Sequence, residues 1–109
     1  MNQPVFQEIL PADAKAAVER GEARLIDVRE ADELLVAFIA GSEHYPLSEA
    51  ASWIDTLPKD EPLIIFCHHG GRSAQVTLAL GGRGYANVHN MRGGIDAWSQ
   101  TVDADVPRY

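Results

Sequence analysis

Cys67 is the chain's one cysteine, and it closes the apolar run Leu63-Ile64-Ile65-Phe66. His68-His69-Gly70-Gly71-Arg72-Ser73 follows, and a helix-like pattern resumes at Ser73. Such an order reads as a buried strand, a tight loop and a helix N-terminus, with a thiol at the strand's end. A short Gly-rich loop lets several backbone N–H groups turn toward one point, and the positive end of a helix reinforces them. An anion belongs at that centre. With the Cys67 sulfur there, the anion is a thiolate, the form in which cysteine is a nucleophile. Gly70 and Gly71 fit the cradle because inward-facing amides need backbone conformations that a Cβ discourages.

The elements that must carry this loop alternate in type. Val5 to Leu10 reads as a short strand, and Pro11 opens a helix over Ala12 to Arg20 that Gly21 ends. Arg24 to Arg29 reads as a second strand, and Glu30 to Val36 has helical composition. Gly41 breaks the chain before an extended piece through Tyr45, Pro46 and Leu47. Ser48 is the expected N-cap of a helix over Glu49 to Leu57, ended by Pro58. After the central strand and loop, Ser73 to Leu80 forms a helix that Gly81-Gly82 should fray. Asn87 to Met91 suggests a last strand and Gly94 to Gln100 a closing helix. Strands alternating with helices predict an α/β fold: a central, mostly parallel sheet with helices on both faces. Ligands of such sheets bind beyond the carboxyl ends of the strands. Asp27 and Cys67 both end predicted strands, so they should share that edge.

Composition bounds what the site can serve. The 109 residues, 46% of them hydrophobic, suit one domain over residues 1–109. A formal net charge of −7 argues against nucleic-acid binding, which needs a basic face. A single cysteine excludes an internal disulfide and an internal resolving thiol, so sulfur chemistry at Cys67 must end on an outside acceptor. Met1-Asn2-Gln3-Pro4 opens no basic and apolar leader, and no apolar stretch reaches the roughly 18 residues of a membrane span. The expectation is a cytoplasmic protein with no membrane partner.

Three motifs resemble those of the rhodanese-like family, whose sulfurtransferases carry a persulfide on a loop cysteine. Cys67-His68-His69-Gly70-Gly71-Arg72-Ser73 fits its loop pattern C-x-x-G-x-R-S. Leu25-Ile26-Asp27-Val28-Arg29-Glu30 is similar to its D-x-R-E strand end. Gly84-Tyr85-Ala86-Asn87-Val88 with Gly93-Gly94-Ile95-Asp96-Ala97-Trp98 resembles its C-terminal signature. The likeness spans essentially the whole chain and implies a single rhodanese-like domain with Cys67 as nucleophile. Phe38-Ile39-Ala40-Gly41-Ser42 departs from the family's His-Ile-Pro-Gly-Ala at a position of scaffold. His68 and His69 stand where many thiosulfate-using members carry Arg or Lys, which implies a weaker hold on a sulfonate.

The reaction the resemblance implies moves a sulfane sulfur from a donor, thiosulfate or a persulfide, through a Cys67 persulfide to a thiol or cyanide. A sulfur-accepting protein is a further candidate acceptor. His68, His69, Gly70, Gly71, Arg72 and Ser73 form the anion-binding loop, with Asp27 and Arg29 supporting it from the neighbouring strand. Arg72 has two readings: it faces the anion, or it pairs with Asp27. The histidines are expected to be exposed. No cofactor is implied and no metal, because Cys67, His68 and His69 are adjacent and point in different directions. One alternative is a cysteine-dependent phosphatase or arsenate reductase, but four residues between Cys67 and Arg72 make a loop shorter than a phosphatase uses. The other is a sulfur-delivery or interaction module for a partner protein.

Overall fold

The computed structural model describes residues 6–109, so Val5 and the four residues before it lie outside the described residues. In chain order the elements are β1 (Gln7–Ile9), α1 (Pro11–Glu19), β2 (Arg24–Asp27), α2 (Ala31–Leu34) and β3 (Glu43–His44). A 3-10 turn (Leu47–Glu49), α3 (Ala50–Trp53), β4 (Leu63–Phe66), α4 (Gly71–Gly82), β5 (Val88–Met91) and α5 (Gly94–Thr101) complete them. The five strands form one parallel sheet in the order β1-β5-β4-β2-β3, with β4 in the middle. The predicted fold class is the observed one.

All four residues of β4 are buried, as a strand covered on both faces requires. Alternation sends Leu63, Ile65 and Cys67 toward a core with Trp53, Ile54, Leu57, Val76 and Leu80 of the α3 and α4 side. Ile64 and Phe66 face the other way, onto Ala14, Ile95 and Trp98 of α1 and α5. Each side chain so buried stabilises the fold by about 2 kcal/mol, which makes β4 the most firmly held place for a reactive residue. No helix among the described residues is long and apolar enough to cross a membrane.

Several boundaries differ from expectation for physical reasons. The α2 helix stops at Leu34, not Val36; the Glu33 carbonyl still accepts from the Val36 and Ala37 amides (3.0 and 3.1 Å), while the Ala37 carbonyl goes to the Arg29 guanidinium (2.9 Å). Its start is a capping box between Glu30 and Glu33. Ser48 caps no helix: it lies inside the 3-10 turn and gives its hydroxyl to Glu30. The following helix ends at Trp53, whose carbonyl accepts from the Thr56 amide and hydroxyl (2.9 and 2.7 Å). Gly81 and Gly82 do not fray but close α4, which begins two residues early, at Gly71. The early start puts Arg72 and Ser73 in the helix's first turn, where their amides have no partner within the helix.

Candidate active site

The central strand ends one residue before Cys67, whose side chain is 1% exposed. Burial alone would suit an inert thiol. The sulfur, however, meets three polar donors: the Gly70 amide at 3.1 Å, the Ser73 amide at 3.4 Å and the Ser73 hydroxyl at 3.3 Å. The amides of His68, His69, Gly71 and Arg72 meet no acceptor among the described residues. Two amides and a hydroxyl on one sulfur, at the N-terminus of the twelve-residue α4, suit negative charge there.

Two contacts orient the loop. The Cys67 and His68 carbonyls accept from the Ile95 and Asp96 amides (2.9 and 3.1 Å) in the first turn of α5. With these two carbonyls drawn toward α5, the Gly70 and Ser73 amides meet the sulfur. Gly94 permits that approach: a Cβ there would lie 2.4 Å from both carbonyl oxygens. Gly70, at φ +108°, occupies a left-handed conformation and aims its amide at the sulfur. Gly71 does not share that requirement. It has no positive φ and open space where a Cβ would go, so of the two loop glycines only Gly70 is conformationally required.

A family model described as the rhodanese-like domain matches residues 10–101. The chain belongs to the rhodanese-like family. It is 31% identical to the thiosulfate sulfurtransferase GlpE of Pseudomonas aeruginosa strain LESB58, over 92% of this chain and 90% of that one. It is 38% identical to the chloroplastic rhodanese-like/PpiC domain-containing protein 12 of Arabidopsis thaliana, over 100% of this chain but 33% of that protein. The chain thus spans about a third of the plant relative and most of the bacterial one. Among solved structures, a rhodanese-related protein from Thermoplasma volcanium superimposes with a TM-score of 0.81 at 31% identity, covering 89% of this chain and 94% of that one.

Arg72 in this rhodanese-like domain does not make the Asp27 pairing that was one of its two readings from sequence, though its charge does bear on Cys67. Its guanidinium makes a bidentate pair with Glu33 (2.6 and 2.9 Å), tying α4 to α2. The Arg72 hydrogen bonds hold the Glu33 carboxyl down at about 2, against an ordinary 4.5, and burial opposes them. Asp27 pairs instead with Arg29: Nη2 to Oδ2 is 2.7 Å, and the Arg29 amide donates to Oδ1 at 3.0 Å. Both side chains are fully buried. Residues two apart at a strand end point the same way, and that spacing was the signal for this pairing. Arg29 also donates to the Tyr109 hydroxyl (2.9 Å), which donates in turn to Glu33 (2.7 Å). A connected chain therefore runs from Asp27 through Arg29, Tyr109 and Glu33 to the loop's arginine. Burial, with the Glu33 carboxylate adding to it and Arg29 opposing, pushes the Tyr109 phenol up to about 12, so it stays a donor.

The depressed carboxyl gives a test with a definite sign. A lowered pKa means the Arg72–Glu33 pair stabilises the fold fully above pH 4.5 and loses that contribution as pH falls toward about 2. Acid titration of the folded fraction should show wild type more stable than Glu33→Gln near neutrality, with the gap closing over that interval. A gap that stays constant down to pH 2 would contradict the pairing.

His69 is exposed as expected, but His68 is half-buried, contrary to expectation. The His68 ring stacks on Tyr109 (3.8 Å, 7°) and on His69 (3.8 Å, 27°). Ring nitrogens of both histidines and a carboxylate oxygen of Asp96 lie within 4.8 Å of one another. Stacked imidazoles hold their lone pairs in separate, nearly parallel planes, so one ion cannot take both without unstacking them. Glu33, Tyr109, Asn90 and the close approach that Gly94 permits went unread from sequence. Only Glu33 carried a local signal there, the Glu30-x-x-Glu33 capping spacing.

Proposed function

We propose that the chain is a sulfurtransferase in which Cys67 carries a sulfane sulfur as a persulfide. The observation that carries this reading is the sulfur itself, 3.1 to 3.4 Å from two amides and a hydroxyl. The Cys67 thiolate attacks the outer sulfur of thiosulfate or of a thiol persulfide, and sulfite or the thiolate leaves with the bonding pair. Negative charge then rests on the outer persulfide sulfur, beside a loop that still has the amides of His68, His69, Gly71 and Arg72 to offer. A thiol or cyanide removes that sulfur and restores the Cys67 thiolate; a sulfur-accepting protein with such a thiol would serve equally. The Arg72 pairing with Glu33 leaves the main-chain amides, not a free guanidinium, as the loop's anion donors.

Incubation with thiosulfate or a thiol persulfide should make the protein one sulfur atom heavier by intact mass. Dithiothreitol should remove the gain and Cys67→Ser should abolish it, with transfer to cyanide falling to the uncatalysed rate. A protein that takes up no sulfur from either donor would end the proposal. Cys67-dependent hydrolysis of p-nitrophenyl phosphate would place the loop with the cysteine phosphatases instead.

A further inference from the structure

We propose that Asn90 is a positioning residue for sulfur transfer, acting on Cys67 through Ser73 and Gly70; the inference rests on the sulfurtransferase reading. Asn90 sits on β5, the strand beside β4, and is 2% exposed. Its Nδ2 donates to the Gly70 carbonyl at 3.2 Å and to Glu8 Oε2 at 3.3 Å, and its Oδ1 accepts from the Ser73 hydroxyl at 2.5 Å. The amide can face only one way. The Gly70 carbonyl and the Glu8 carboxylate both accept, so the NH2 group must meet them and the oxygen must meet Ser73.

That orientation governs a single proton. The Ser73 hydroxyl has one hydrogen and three acceptors within reach: Asn90 Oδ1, the Gly70 carbonyl at 3.3 Å and Cys67 Sγ at 3.3 Å. While Cys67 is a thiol, its S–H uses the Ser73 oxygen and the Ser73 proton rests on Asn90. When the sulfur is anionic, a charge-assisted bond to it is the stronger use of the same proton. The hydroxyl needs only to rotate, because Asn90 already holds its oxygen 3.3 Å from the sulfur. The second hand of Asn90, on the Gly70 carbonyl, holds from its C-terminal side the left-handed residue whose own N–H points at Sγ.

Each half-reaction changes charge within this arrangement. In loading, the thiolate electron pair forms the S–S bond while the donor's bond to its leaving group breaks, and charge appears on the outer sulfur. In unloading, the acceptor forms a bond to the outer sulfur, the persulfide bond breaks, and its electron pair returns to Cys67 as a thiolate. Asn90 touches neither reactant. Its effect should therefore appear in turnover and not in donor binding.

Steady-state transfer from thiosulfate to cyanide tests this. Asn90→Ala should lower kcat roughly ten- to a hundredfold, with the donor KM within about twofold of wild type. In a Ser73→Ala background the same change should cost at least about threefold less, because part of its route is gone. Asn90→Ser provides the same readouts if Asn90→Ala melts below the assay temperature. An unchanged kcat, a loss shared equally by kcat and 1/KM, or full additivity with Ser73→Ala would overturn the inference. Sulfur uptake by wild type separates the two ideas: a wild type that never loads ends the sulfurtransferase reading, while one that loads normally confines any negative result to Asn90.

Discussion

Gly94→Ala is expected to be among the most damaging single-methyl additions available in this chain. The new Cβ would sit 2.4 Å from the carbonyl oxygens of both Cys67 and His68 and 2.6 Å from the His68 carbonyl carbon. These are main-chain atoms, so no side chain can swing aside. They also belong to the segment that presents the sulfur, and the Ile95 and Asp96 amides hold them at 2.9 and 3.1 Å. Relief means moving α5 off the loop, which gives up both bonds. Left-handed strain at φ +62° adds roughly 1 kcal/mol to the steric cost. The total should reach about 3 kcal/mol or more, lowering Tm by at least about 10 °C for a domain of this size. Gly41→Ala separates the two causes. Gly41 has φ +87° but nothing within 4 Å of its missing Cβ, so that variant carries strain without collision. Thermal unfolding of the two side by side gives the comparison. Equal melting temperatures would mean that the contact between α5 and the loop matters little.

The contrast between the two glycines also shows what a sequence can and cannot convey here. The order of strands and helices was legible because β4 is apolar throughout and the helices carry their own punctuation in Pro11 and Gly21. The loop was legible for the same reason: Cys67 through Ser73 is contiguous, so its chemistry is written in one line. The partners of that loop come from elsewhere. Arg72 finds Glu33 39 residues away, and Ser73 finds Asn90 17 residues on. Tyr109 reaches 80 residues back to Arg29. Such pairings depend on which strands are neighbours, and no local pattern encodes that. The sequence puts Asp27 on the right edge of the sheet, but the Asp27–Arg72 pairing, one of the two readings of Arg72, does not form. Competition between two guanidinium groups for one buried carboxylate is settled by distance, and Arg29 shares its strand end.

That buried pair supports the other large expected effect. Asp27→Ala should cost about 3–5 kcal/mol, because it leaves the Arg29 guanidinium inside the protein without its counter-charge. Both side chains are 0% exposed, so water cannot replace the lost carboxylate. The guanidinium cannot leave easily either, since it also binds the Ala37 carbonyl (2.9 Å) and the Tyr109 hydroxyl (2.9 Å). Burial opposes its charge, and the hydrogen bonds it donates to Asp27 and Tyr109 outweigh that opposition, keeping its pKa above the ordinary value. Glu43→Ala provides the scale. The Arg24–Glu43 pair is as short, at 2.6 Å, but its side chains are 30% and 38% exposed, so its loss should cost less than about 1 kcal/mol. Urea unfolding reads both, with midpoints compared at unchanged m-value. If Asp27→Ala is no worse than Glu43→Ala, Arg29 has found another way to satisfy its charge. The expected result has a functional consequence. Arg29 leads through Tyr109 and Glu33 to Arg72, so releasing it should loosen α2 from α4 and slow sulfur transfer even in the molecules that remain folded.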